Sequence, residues 1–269
     1  MRLSEAGELG LLRELESRGL ISGTEHDAAE LAGGVVVTQD ALVEGVHFRL
    51  DRLTWRELGF RAAAVNVSDL AASAARPEAL IVTLGAPGGV EVEQVVELYE
   101  GLAEAGVPVR GGDTTSADRV FLSVTAIGRS ERVPGRAGAR PGDLVVVTGP
   151  LGAAGRAFRE GRYVRPPVRV EEGLRLGGIA TAMLDVSDGI AVDAGHLARR
   201  SGCRVVVDLD AVPRDGELDD LGFGEDFELL AATPDPLGFP VIGRCEKGQG
   251  VLLLHEGEPY ELAGYEHFT

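Results

Sequence analysis

The chain has 269 residues, of which 44% are hydrophobic and 26% charged, and its formal net charge is −17. That is the composition of a globular protein with ample core for one large domain or two medium ones. So acidic a chain lacks the basic face that a nucleic-acid backbone requires, although divalent cations can still couple it to nucleotides.

The basic side chains are arginines apart from a single lysine, Lys247. Lys247 sits in Cys245-Glu246-Lys247-Gly248, which fits neither a P-loop nor the strand lysine of a protein kinase. Phosphate chemistry would therefore rest on metals, arginine and backbone amides. Cys203 and Cys245 lie far apart without metal-ligand spacing and read as buried free thiols. The N-terminus lacks the basic and apolar regions of a signal peptide, and no apolar run approaches the ~18 residues of a membrane span. The expectation is a cytoplasmic protein with no membrane and no nucleic-acid partner.

In chain order, residues 3–18 read as a helix with Leu3, Leu11, Leu12 and Leu15 on one side. A polar turn follows at Gly23-Thr24-Glu25-His26-Asp27. Val35-Val36-Val37 reads as a short buried strand ending at Thr38-Gln39-Asp40, and a second extended run from Val43 to Phe48 carries His47. Thr54-Trp55-Arg56-Glu57 is a capping box that starts a helix. That helix runs into Asn66-Val67-Ser68-Asp69, a polar notch of residues that cost helix propensity. Leu80–Leu84 reads as a strand and Val92–Ala105 as an amphipathic helix. Gly111-Gly112-Asp113-Thr114-Thr115 reads as a turn whose backbone can lie close to a ligand, and Val120–Ile127 as a further strand. Alternating strands and helices indicate an α/β layer with a mixed sheet.

Residues 129–142 are rich in Gly, Pro and Arg and mark the domain boundary, separating a domain at 1–130 from one at 140–269. Beyond it, Leu144–Val147 reads as a strand, and a helix follows at roughly 170–180. Met183-Leu184-Asp185 is a strand end running through Val186-Ser187-Asp188-Gly189 into a helix. Short strands are expected around Cys203–Leu209, Phe227–Ala231, Val241–Gly243 and Val251–Leu254.

Acids recur at turns and element ends: Asp27, Asp40, Asp69, Asp113, Asp185, Asp188 and the pair Glu225-Asp226. Brought together, so many carboxylates repel one another unless a cation cluster lies between them. Mg²⁺ fits best, since it takes hard oxygen donors and shares them with substrate phosphates.

Five motifs stand in a fixed order: Thr38-Gln39-Asp40 through His47-Phe48, Asn66-Val67-Ser68-Asp69-Leu70-Ala71-Ala72, Gly111-Gly112-Asp113-Thr114-Thr115, Leu184-Asp185-Val186-Ser187-Asp188-Gly189 and Gly224-Glu225-Asp226-Phe227-Glu228-Leu229-Leu230. Together with Gly264-Tyr265-Glu266-His267-Phe268 they resemble thiamine-monophosphate kinases, of the superfamily that includes aminoimidazole ribonucleotide synthetase. The resemblance implies a two-domain α/β fold of the aminoimidazole ribonucleotide synthetase type, with an N-terminal mixed sheet through which a homodimer forms. It implies transfer of the ATP γ-phosphoryl group directly onto thiamine monophosphate, with several Mg²⁺ ions and ATP as co-substrate. By motif, Asp27, Asp40, Asp69, Asp113, Asp185 and Asp188, with Thr38, would hold Mg²⁺. Gly112, Asp113, Arg136 and Ser187 would contact ATP; His47, Glu225 and Tyr265 would contact thiamine monophosphate. Asp113 and Asp188, through metal, and Arg136 would be the catalytic groups. Two alternatives are a related ATP-dependent enzyme acting on another small phosphate acceptor, and a degenerate paralogue that binds nucleotide without turnover.

The sequence departs from the family pattern at several points. His26 replaces an acid, Gln39 a threonine, Ala153 an acid, Phe223 a glycine and Phe227 a tyrosine. The helix before Gly111 and the stretch from Asp210 to Gly224 are shorter than in the family.

Overall fold

A computed structural model of the chain describes residues 2–22 and 26–265; the predicted turn residues 23–25 and the end of the C-terminal motif at 266–269 lie outside them. After helix α1 (Leu3–Ser17), five strands build a first sheet: β1 (Ala29–Leu31), β2 (Val35–Val43), β3 (Arg76–Ala86), β4 (Val109–Ser116) and β5 (Phe121–Arg129). Their spatial order is β1-β2-β5-β3-β4. The pairings β2–β5 and β5–β3 are antiparallel, and β4 joins β3 in parallel at the edge. On one face Val36, Leu42, Leu80, Val82, Leu84, Leu122 and Val124 are buried under helices α2 (Trp55–Ala72) and α3 (Val92–Ala103).

Seven strands build a second sheet: β6 (Leu144–Val147), β7 (Ala182–Asp185), β8 (Arg204–Asp208), β9 (Leu229–Thr233), β10 (Val241–Glu246), β11 (Gly250–His255) and β12 (Glu258–Pro259). The order is β12-β11-β8-β10-β6-β9-β7. Helices α4 (Ala153–Arg159), α5 (Val170–Gly177) and α6 (Ile190–Ser201) accompany it. The mixed α/β architecture with two sheets is the fold class expected from the sequence.

Helix α2 joins the two layers. Thr54 caps it as expected, accepting from the Glu57 N–H at 3.2 Å while the Glu57 carboxylate accepts from the Thr54 N–H at 2.7 Å. Its C-terminal Ala71 and Ala72 pack with Val146, Met183, Leu229 and Ala231 of the second sheet. Alanines there let the helix approach that sheet closely, and so bring its polar notch up to the end of β7.

Two sequence expectations are corrected. β2 does not end at Asp40 but continues to Val43, because Ala41, Leu42 and Val43 pair with Ser123, Leu122 and Phe121; His47 then lies in a turn rather than an extended run. Gly111–Thr115 is not a turn but the middle of β4. Gly112 is needed there for close strand approach, since a Cβ at this position would lie 1.8 Å from the Val82 carbonyl oxygen.

Candidate metal and phosphate site

The polar notch of α2 is explained by its partners. Asn66 is fully buried; its Nδ2 donates to the Ala62 carbonyl at 2.9 Å and its Oδ1 accepts the Asp40 N–H at 3.0 Å. Ser68 Oγ donates to Asp185 Oδ2 at 2.5 Å, and Asp69 Oδ2 accepts from Thr38 Oγ1 at 2.6 Å. Each residue that weakens the helix locally is thus engaged, two of them by β2 and one by the end of β7.

The result is a convergence of acids from three places in the chain. Carboxylate oxygens of Asp27, Asp69 and Asp185 all lie within 4.8 Å of one another. Arg136 Nε donates to Asp27 Oδ1 at 2.6 Å, and the Asp27 side chain is only 1% exposed. Burial, with the neighbouring acids adding to it, pushes Asp40 up to about 6 and Asp185 up to about 7. Burial also raises Asp27 against the pull of Arg136, and lifts Asp69 well above the usual carboxylate range, helped by Asp40, Asp185 and Asp27. Carboxylates so placed are hard donors that gain by sharing a divalent cation, so this donor set fits Mg²⁺.

Asp188 stands just before α6. Its N–H donates to Asp193 Oδ2 at 3.1 Å and its carbonyl accepts the Tyr265 N–H at 3.1 Å. The segment carrying Glu225 is laid against β7's extension: the Glu225 N–H donates to the Ser187 carbonyl at 2.8 Å, and the Phe227 N–H to Val186 at 2.9 Å. Gly224 permits this, because a Cβ there would lie 2.2 Å from the Ser187 oxygen. Glu225 takes a positive φ of 58° and its carboxylate pairs with Arg61 of α2. In the turn after β2, His47 Nδ1 accepts the Val43 N–H at 3.0 Å, which leaves Nε2 as the donor of a neutral ring.

Asp113 is not brought to these acids. The register runs Asp40–Val124–Val82–Gly112, so Asp113 lies three strands away from Asp40 and, one residue out of step, on the opposite face of the sheet. Asp113 and Gly112 are both exposed on the edge strand. Within one chain, Asp113 is not a wall of the site that Asp40, Asp69 and Asp185 form.

Sequence reasoning gave no role to Arg61 or Asp193. Arg61 is a buried arginine on a helix, and its partner Glu225 is 164 residues further on. Asp193 is a buried acid on α6 whose ionisation burial and Asp188 oppose; its place in the first turn after Asp188-Gly189 was the available signal. The substituted His26 keeps a buried Nδ1 without a hydrogen-bond partner.

Residues 25–130 match the family described as AIR synthase related protein, N-terminal domain. The chain is 33% identical to a thiamine-monophosphate kinase of Aquifex aeolicus over 312 aligned positions, covering 100% of both chains. It is also 33% identical to that of Mycobacterium tuberculosis, covering 99% of this chain and 93% of the relative. Among solved structures, AaThiL complexed with AMPPCP and TMP is similar with a TM-score of 0.89 and 31% identity, covering 99% of each chain. The hydrogenase maturation protein HypE in complex with ATP, at 21% identity and a TM-score of 0.72 over 100% of this chain and 99% of its own, shares the fold. With relatives above 30% identity aligned over the whole of its length, the chain belongs to the thiamine-monophosphate kinase family.

Proposed function

We propose that this protein transfers the γ-phosphoryl group of ATP to thiamine monophosphate, giving thiamine diphosphate. The observation that carries the reading is the convergence of Asp27, Asp69 and Asp185, with Thr38, Ser68 and Arg136 bonded to them. Family membership supplies the substrate.

The acceptor oxygen belongs to a phosphate that is already anionic at neutral pH, so the chain needs no strong general base. The obstacle is repulsion between two polyanions. Asp27, Asp40, Asp69 and Asp185, together with Thr38 and Asp188, would hold Mg²⁺, which would supply positive charge to offset that of the phosphates. Arg136 contributes fixed positive charge at the same place, and its ion pair with Asp27 orients it. Thr38 and Ser68 hold the Asp69 and Asp185 carboxylates in one orientation. Ser187 contacts ATP, while His47, Glu225 and Tyr265 hold the thiamine moiety and its phosphate.

We further propose a cytoplasmic homodimer of two-domain subunits, divided into 1–130 and 140–269. Among the described residues no helix is long and apolar enough to cross a membrane. The sheet face away from α2 leaves Val37, Ile81 and Ile127 only partly covered, and seven of the eight residues of β4 are exposed, which supports association through this sheet. In such a dimer Gly112 and Asp113, exposed on that edge, would reach the nucleotide and metal of the partner subunit's site rather than those of their own chain.

The test is incubation of purified protein with ATP, Mg²⁺ and thiamine monophosphate, with chromatographic detection of thiamine diphosphate. Product formation with one ADP released per turnover is expected. A folded protein that makes no product overturns the reading.

A further inference from the structure

We infer that Phe158 and Phe223 form a stacking wall for a flat heteroaromatic ring of the phosphate acceptor. The inference deepens the proposed function and rests on thiamine monophosphate being that acceptor. Phe158, on α4, is 58% exposed, and its ring centroid lies 4.9 Å from that of Phe223 with the planes tilted by 30°.

Both rings are fixed relative to Glu225. Phe223 precedes it by two residues. The start of α4 is tied to the adjacent Asp226, whose carboxylate accepts the N–H groups of Gly152 at 2.8 Å and Ala154 at 3.4 Å. From the other side, the guanidinium of Arg52 lies 5.5 Å from the Phe158 centroid, in the segment after β2 that also carries His47. The aromatic pair therefore stands between the segments that carry His47 and Glu225.

Phe158 stays more than half exposed despite these contacts, and exposed aromatic area offers surface that a planar ligand can cover at low entropic cost. The face also attracts positive charge, and the thiazolium ring of thiamine is a planar cation that would take the place Arg52 holds over Phe158. Stacking here would hold the acceptor's organic part while the acid cluster and Arg136 manage its phosphate. The wall would thus select an aromatic acceptor over a small aliphatic phosphate.

The test compares wild type with Phe158→Leu, Phe223→Leu and Phe158→Tyr by calorimetric titration with thiamine monophosphate and by steady-state kinetics. Leucine keeps apolar bulk without a π face, and exposed Phe158 tolerates it without unfolding. The expected result is a KM and Kd for thiamine monophosphate raised about tenfold in the leucine variants, with KM for ATP within about twofold, and with Phe158→Tyr close to wild type. Affinities for thiamine monophosphate within about twofold of wild type in both leucine variants overturn the wall while leaving the proposed function standing. A wild type that neither binds nor phosphorylates thiamine monophosphate overturns the acceptor itself, and the wall with it.

Discussion

Ser68 on α2 donates a 2.5 Å hydrogen bond to Asp185 at the end of β7. This bond spans 117 residues of sequence and joins the first sheet's helix to the second sheet's strand. It fixes one acid of the cluster from a residue that carries no charge itself.

Replacing Ser68 by alanine removes that orientation but leaves every acid in place. Losing a partner that orients a ligating carboxylate typically costs 10–100-fold in metal affinity. The Mg²⁺ concentration giving half-maximal activity in Ser68→Ala should rise by about that range, measured by activity against free Mg²⁺. An unchanged Mg²⁺ requirement would show that Ser68 is only a packing residue.

The cluster also links stability to pH. An acid whose pKa is raised on folding keeps a proton that the unfolded chain has already released. Its favourable contribution is present below about pH 4 and is lost as pH rises through the folded value, here about 6 for Asp40 and about 7 for Asp185. Metal-free protein should therefore melt at progressively lower temperature as pH rises across this window. Mg²⁺ takes the place of the protons, so its stabilising shift should be larger at about pH 8 than at about pH 5. Thermal melts with chelator and with Mg²⁺ at both pH values check this; equal shifts would contradict it.

Arg61 and Glu225 tie α2 to the proposed acceptor loop. Arg61→Met leaves the Glu225 carboxylate without its partner and frees a residue held at positive φ. KM for thiamine monophosphate should rise about tenfold, roughly 1–2 kcal/mol of lost orientation, while KM for ATP changes less. Arg61→Lys should recover part of the loss. Parallel changes in both KM values would assign the pair to global stability instead.

Gly111 and Gly112 separate a packing requirement from a permissive position. A Cβ at Gly112 would meet the Val82 oxygen at 1.8 Å, whereas at Gly111 the nearest atom is Ile81 Cδ1 at 3.8 Å. Gly112→Ala should destabilise the fold by about 2–4 kcal/mol through forced separation of β3 and β4. Gly111→Ala should stay within about 1 kcal/mol. Denaturant unfolding of the two variants distinguishes them, and equal stabilities would contradict the strand packing.

What the sequence disclosed followed the range of the interaction. The Thr54–Glu57 cap and the β7 end at Asp185 are written in adjacent residues, and both are legible. Helix α4 was not, because the N–H groups of Gly152 and Ala154 at its start are capped by Asp226 from 74 and 72 residues away. Gly111-Gly112 has turn propensity, yet pairing with β3 overrides it, and that pairing is set by tertiary contact rather than by local residues. The acids of the site could be listed from their motifs. Only the strand register separates Asp113 from Asp40, and only the packing of α2 joins Asp69 to Asp185.

The central claim, that this acid cluster is the metal centre of phosphoryl transfer, is tested most directly by turnover of Asp185→Asn with ATP, Mg²⁺ and thiamine monophosphate, alongside its melting temperature without metal. Asparagine keeps an oxygen for Ser68 and removes one of the repelling charges. The expected result is a loss of turnover on the order of 10³-fold or more, with a metal-free melting temperature equal to or above that of wild type. Wild-type turnover in this variant would contradict the assignment.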